Sequence, residues 1–135
     1  MIPDATLAAL FAAAVAAREN AHAPYSRFHV GAAVLSESGA IHAGCNVEVA
    51  SFPEGWCAET TAIGKLVSAG EKSIRAVVVV AEGDRLTTPC GGCRQRLAEF
   101  AAPDTPVHVG GPDGIRRVFT VGELLPASFE LEEQP

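Results

Sequence analysis

Apolar residues recur at Leu7, Leu10, Phe11, Ala14 and Val15 inside an alanine-rich stretch, the three-and-four spacing of one helical face. With Asp4 or Thr6 as cap, this predicts a helix over residues 4–22. The turn-rich segment HAPYSRF (22–28) follows, and then the period changes. HVGAAVLSE (29–37) and AIHAGCNVE (40–48) read as two strands joined by a hairpin turn at Ser38-Gly39. SFPEGW (51–56) is a loop, and CAETTAIGKLVSAG (57–70) a helix with Gly70 just past its end. SIRAVVVVAEG (73–83) is apolar almost without alternation, the pattern of a strand covered on both faces at the centre of a sheet. CRQRLAEFA (93–101) is a helix that Pro103 cannot continue. TPVHVGG and GIRRVFTVGELL supply two more strands and a short last helix. The order α-β-β-α-β-α-β-β with an α tail implies a mixed sheet with helices packed on it.

Composition narrows the partners. The chain has 135 residues, enough for one domain over 1–135, and shows no repeat, low-complexity tract or linker. A formal charge of −6 repels phosphate backbones, and the Lys and Arg are scattered, with only Arg94/Arg96 and Arg116/Arg117 close together. Nucleic acid is therefore not an expected partner. The longest apolar run, AVVVVA at 76–81, is far too short to span a membrane. The N-terminus lacks a basic leader region, so the expected location is cytoplasmic and reducing. A disulfide framework is then not expected from the four cysteines.

Those cysteines carry the candidate chemistry. Cys90 and Cys93, in TPCGGCRQ (88–95), form a C-x-x-C pair that suits either a redox dithiol or half of a metal site. Cys57 opens a predicted helix, and Glu59 follows it by two residues. Helix N-termini favour thiolates, so two of them bringing Cys57, Cys90 and Cys93 together would suit zinc. Three protein ligands leave the fourth position for water, as catalytic zinc requires, and a nearby carboxylate can then move protons. Cys45 as a fourth ligand would instead close the site and make a non-catalytic, zinc-stabilised domain; it reads rather as a small buried thiol. His22, His29, His42 and His108 have no ligand spacing and read as structural or exposed.

CAE at 57–59 with PCGGC at 89–93 resembles the cytidine deaminase family. APYSRFHVGAAV (23–34), GCNVE (44–48), CAETTAI (57–63), PCGGCRQRLAEF (89–100) and ELLPASF (123–129) match family blocks in order. Cysteine rather than histidine as first ligand points to the small homotetrameric branch that acts on free nucleosides. The resemblance implies a three-layer α/β/α sandwich around a mixed five-stranded sheet. It implies one Zn²⁺ per subunit on Cys57, Cys90 and Cys93. Cytidine and 2′-deoxycytidine would be hydrolysed to the uridine products and ammonia, in pyrimidine salvage. Glu59 would protonate ring N3 and then assist the leaving ammonia. The Ala58 backbone would donate to the base O2, Phe28 would stack on the ring, Val30 would line the pocket, and Asn46 and Glu48 would hold the ribose. Phe129 would close a neighbouring subunit's site.

Three departures from the family pattern bear on the substrate. Thr60 stands where an arginine often offsets the charge of the thiolates, and Arg94, directly after Cys93, is the nearest expected substitute. Val49 stands where an Asn is usual, and Phe52 where a Tyr is common; Phe52 has no hydroxyl, so recognition of the ribose 5′-hydroxyl is expected to be weaker or to come from elsewhere. Glu54 and Trp56 lie in an unusual loop that could shape the entrance. These departures leave open an aminohydrolase acting on a modified cytosine nucleoside such as blasticidin S.

Overall fold

The computed structural model describes residues 2–135. Helix α1 (Asp4–Arg18) starts after Pro3, whose carbonyl accepts from Leu7 N–H, and buries Leu10 and Ala14. It stops short of residue 22. Tight three-residue bonds from Glu19, Asn20 and Ala21 close the last turn, and the His22 N–H leaves to pair with the Asn46 carbonyl. Strands β1 (Val30–Ser36) and β2 (Ile41–Cys45) form the expected antiparallel hairpin, with Gly31 opposite Cys45 and Leu35 opposite Ile41. Gly39 takes a φ of +91°, a conformation glycine adopts without cost. β2 ends at Cys45 instead of continuing to 48, because the next residues pair elsewhere: Val47 with Trp56, and Glu48 with His22.

The loop after β2 contains one 3-10 turn (Phe52–Glu54) and leads into α2 (Ala58–Ser68). Strand β3 (Ile74–Ala81), helix α3 (Gly91–Phe100), strands β4 (Pro106–Gly111) and β5 (Gly114–Thr120) and helix α4 (Val121–Leu124) complete the chain. α3 begins two residues earlier than its pattern suggested, because Cys90 is already its cap. A capping box sets α4: Thr120 accepts from the Glu123 N–H while the Glu123 carboxylate accepts from the Thr120 N–H. The strand order is β2-β1-β3-β4-β5, with β3 and β4 parallel and every other pair antiparallel.

Alternation of side chains sorts the core into two halves. Ala33, Leu35, Ala76, Val78 and Val80 pack under α1 against Leu10 and Ala14. Ala32, Val34, Val77, Val79, Val107 and Val109 point the other way, against Ala62 and Leu66 of α2 and Leu97 of α3. This is the expected three-layer α/β/α sandwich, and it accounts for the unbroken apolar run of β3, whose two faces both lie under helices. Each fully buried valine contributes on the order of 1.5–3 kcal/mol. The four histidines are structural or surface groups, as expected: buried His108 bonds the Val77 carbonyl, His42 pairs with Glu71, His29 with Glu82, and the His22 backbone bridges to Val47. No helix among the described residues is long and apolar enough to cross a membrane.

Two glycines let helices approach the hairpin closely. A Cβ on Gly31 would lie 2.0 Å from the Ala14 carbonyl oxygen of α1, and one on Gly44 would lie 2.5 Å from Thr61 Cβ of α2. Gly44 thus sets how far the start of α2 sits from β2. Gly31→Ala must push α1 off the sheet and is expected to cost about 3 kcal/mol. Gly64→Ala, on the exposed side of α2 with nothing near its Cβ, is expected to stabilise by about 0.5–1 kcal/mol. Urea unfolding of both variants checks this; a Gly31→Ala midpoint equal to wild type would contradict the close contact.

Candidate metal centre and substrate cleft

Cys57 and Cys90 occupy the N-cap positions of α2 and α3, in extended backbone conformations. Neither side chain caps its own helix, so both sulfurs are free to face each other across the junction of the two helices, 3.6 Å apart. Cys93, in the first turn of α3, is fully buried and completes a cluster in which all three sulfurs lie within 4.8 Å. A tetrahedral zinc ion with bonds of about 2.3 Å holds its sulfur ligands about 3.8 Å apart. The Cys57 and Cys90 sulfurs have nearly that spacing, Cys93 lies within 4.8 Å of both, and the donors are the soft thiols that zinc selects. Cys45 sits half-buried in β2 outside the cluster, so it does not supply a fourth ligand.

The electrostatics of the cluster call for a cation. Its hydrogen bonds with Cys57, Thr60 and Cys90, together with the Arg96 charge, favour the Cys93 thiolate despite burial. Cys57 is pushed the other way, by its hydrogen bond to Cys93, by burial and by its neighbours' negative charge. Three thiols this close cannot all ionise unless positive charge joins them. Glu59, in the first turn of α2, is 4% exposed. Burial, and next the negative charge of Cys93, raise its carboxyl to about 7.

A cleft of about 570 Å³ opens beside the cluster, and Cys57, Ala58, Glu59 and Cys90 form its floor. Phe28, Val30, Asn46 and Glu48 line its walls, so most of the expected substrate residues are brought together. Asn46 and Glu48 also brace the wall. The Asn46 amide donates to the Phe28 carbonyl at 2.8 Å, and its oxygen accepts from the Val30 N–H at 2.9 Å. The Glu48 carboxylate accepts from the backbone N–H groups of Tyr25 and Ser26 and from the Ser26 hydroxyl, which holds it below its ordinary range. These bonds stabilise a segment in which Arg27 takes a left-handed φ of 62°.

Val49, Phe52 and Trp56 also line the cleft, as do Tyr25, Ser26, Thr87 and Thr88, to which sequence patterns assigned nothing. Phe52 meets Tyr25 edge-on with ring centres 5.4 Å apart, and the Trp56 indole donates to Thr61. Glu54 is not among the lining residues. Phe129 is exposed and lies outside the cleft of its own chain, where its carbonyl accepts from Gln95.

The structure corrects the expectation for Arg94. Its guanidinium donates to the Pro89 carbonyl, the Leu124 carbonyl and the Thr88 hydroxyl, so it ties the loop before α3 to the end of α4. The arginine that reaches a sulfur is Arg96, with Nη1 3.8 Å from Cys93 Sγ. The Thr60 hydroxyl lies 3.6 Å from the same sulfur. The three-residue spacing of Cys93 and Arg96, one helical turn, was the available signal.

Comparison with known proteins agrees with this geometry. Residues 5–109 match the family described as the cytidine and deoxycytidylate deaminase zinc-binding region. A cytidine deaminase of Halalkalibacterium halodurans is 46% identical over 120 residues, covering 89% of this chain and 91% of its own. One from Sporosarcina psychrophila is 44% identical over 124 residues, covering 92% and 91%. The crystal structure of cytidine deaminase from Burkholderia pseudomallei superimposes with a TM-score of 0.85 at 44% identity, over 90% of this chain and 98% of that one. With three thiols at zinc spacing, a buried glutamate beside them and these relatives over most of its length, the chain belongs to the cytidine and deoxycytidylate deaminase family of zinc-binding proteins.

Proposed function

We propose that this protein hydrolyses the 4-amino group of cytidine and 2′-deoxycytidine, consuming water and releasing ammonia and the uridine product. The observation that carries the reading is buried Glu59 on the floor of the same cleft as Cys57 and Cys90. One zinc ion per subunit, held by Cys57, Cys90 and Cys93, would supply the positive charge that makes water nucleophilic at neutral pH. Glu59 takes one proton from the attacking water and delivers it to ring N3, then takes the second from the hydroxyl now on C4 and delivers it to the departing amino group, leaving the C4 carbonyl and ammonia. Its burial keeps bulk water from competing for that proton.

The Ala58 N–H, at the first position of α2, has no partner within the helix and can donate to the base O2. Phe28 and Val30 offer an aromatic face and an apolar wall to the ring. Asn46 and Glu48 keep hydrogen-bonding capacity beyond their bonds to the 25–30 segment, which suits sugar hydroxyls. A site that hydrogen-bonds a sugar discriminates strongly against the bare base. Tyr25, Phe28, Phe52 and Trp56 leave an exposed aromatic rim around the cleft. That rim, and exposed Phe129, suit a homotetramer in which one copy's C-terminal segment covers another's cleft. The whole chain then acts as one catalytic domain, cytoplasmic and in pyrimidine salvage. The relatives are named cytidine deaminases, which favours cytidine over a blasticidin-like nucleoside and over a non-catalytic zinc fold or redox dithiol.

Two predictions follow from the cleft. Glu59→Gln keeps the size of the side chain but cannot carry the proton, so turnover of cytidine, followed by ultraviolet absorbance, is expected to fall about 10³-fold or more with zinc content unchanged. Turnover within tenfold of wild type would remove Glu59 from the reaction. The cleft presents Glu48 and Glu59, and none of its lining residues is Lys or Arg. Cytidine 5′-monophosphate should therefore have a kcat/KM about 100-fold or more below that of cytidine, from charge repulsion alone. Equal values would show that the 5′ end meets a cation the single chain does not contain.

A further inference from the structure

We infer that Arg96 is a positioning residue of the metal centre, its guanidinium offsetting the surplus negative charge that three thiolates leave around one divalent ion. The inference rests on the zinc reading above. Arg96 lies one turn beyond Cys93 on the same face of α3, with Nη1 3.8 Å from the sulfur. Its side chain folds back over the first turn of the helix, where glycine leaves the room: a Cβ on Gly92 would come to 3.1 Å from Nη1. A helix N-terminus is positive, so a guanidinium folded toward it is at a disadvantage unless an anion sits there.

No carboxylate forms an ion pair with it. Among the described residues, the ion pairs to arginine involve Arg18 and Arg116, not Arg96. The Cys93 sulfur, which the zinc reading makes a thiolate, is the group that Arg96 meets. Arg94, by contrast, spends its donors on two carbonyls and a hydroxyl. Groups that bond metal ligands from outside change metal affinity by about 10–100-fold. Thr60 approaches the same sulfur from α2 at 3.6 Å, so a cation placed at position 60 would reach the cluster from the other helix.

The test is the rate of zinc release from the purified, zinc-loaded protein to a chromogenic chelator at fixed pH, with folding monitored by circular dichroism. Arg96→Gln keeps an exposed helical position and is expected to release zinc about tenfold faster than wild type. Arg96→Lys, and Thr60→Arg combined with Arg96→Gln, are expected to recover most of that difference, since each restores a positive charge beside the cluster. Release from Arg96→Gln within twofold of wild type would overturn the inference. Faster release that neither charged variant corrects would also overturn it, by showing a packing role. Wild-type protein that binds no zinc at all would overturn the metal reading itself, a result distinct from equal release rates.

Discussion

The close approach of two helix N-termini is the constraint on which the site depends. α2 and α3 arrive at the same edge of the sheet by different routes. α2 is held against β2 through the side-chain-free surface of Gly44, and α3 is the crossover of the parallel β3-α3-β4 unit. The sheet register brings the other pieces to that edge. Val30, at the start of β1, pairs with Ala81 at the end of β3, and Gly31 pairs with Cys45 at the end of β2. The 25–30 segment, Asn46 and both helix starts therefore converge beyond the carboxyl end of β3, the place where open α/β sheets bind ligands. If either helix slid by one turn, about 5.4 Å, the three sulfurs would no longer fit around one ion.

Charge is managed around this junction in layers. The helix termini favour thiolates, and burial with the neighbouring sulfur raises Glu59. The two nearby arginines divide their work. Arg94 holds the loop that carries Thr88 and Pro89 to the end of α4, so it fixes the position from which Cys90 is presented. Arg96 reaches the Cys93 sulfur, with Nη1 3.8 Å away. Exchanging the two by sequence proximity would misassign a scaffold residue as an electrostatic one.

Asn46 and Glu48 show a second economy. Both are spent partly on their own chain, where they hold a strained segment whose Phe28 faces the cleft. A nucleoside that engages them would then bind groups already fixed in place, so little side-chain entropy remains to be lost on binding.

Much of this was legible from the residues alone. The apolar run of β3, the helix start at Cys57, the C-x-x-C pair close to the start of α3, and the Cys57/Glu59 spacing are local facts, because helical and strand periods act over a few residues. They determined the element order, the two-faced core, the three candidate ligands and the candidate proton carrier. The remainder needed tertiary structure. α1 ends at Arg18 because the His22 N–H finds the Asn46 carbonyl, and β2 ends at Cys45 because Val47 finds Trp56; both partners are distant in the chain. Arg94 turns from the sulfurs because the Leu124 carbonyl, thirty residues away, accepts its hydrogen bond. The direction of a long polar side chain is settled by whichever acceptors the fold brings within about 3 Å, and spacing along one helix does not contain that information.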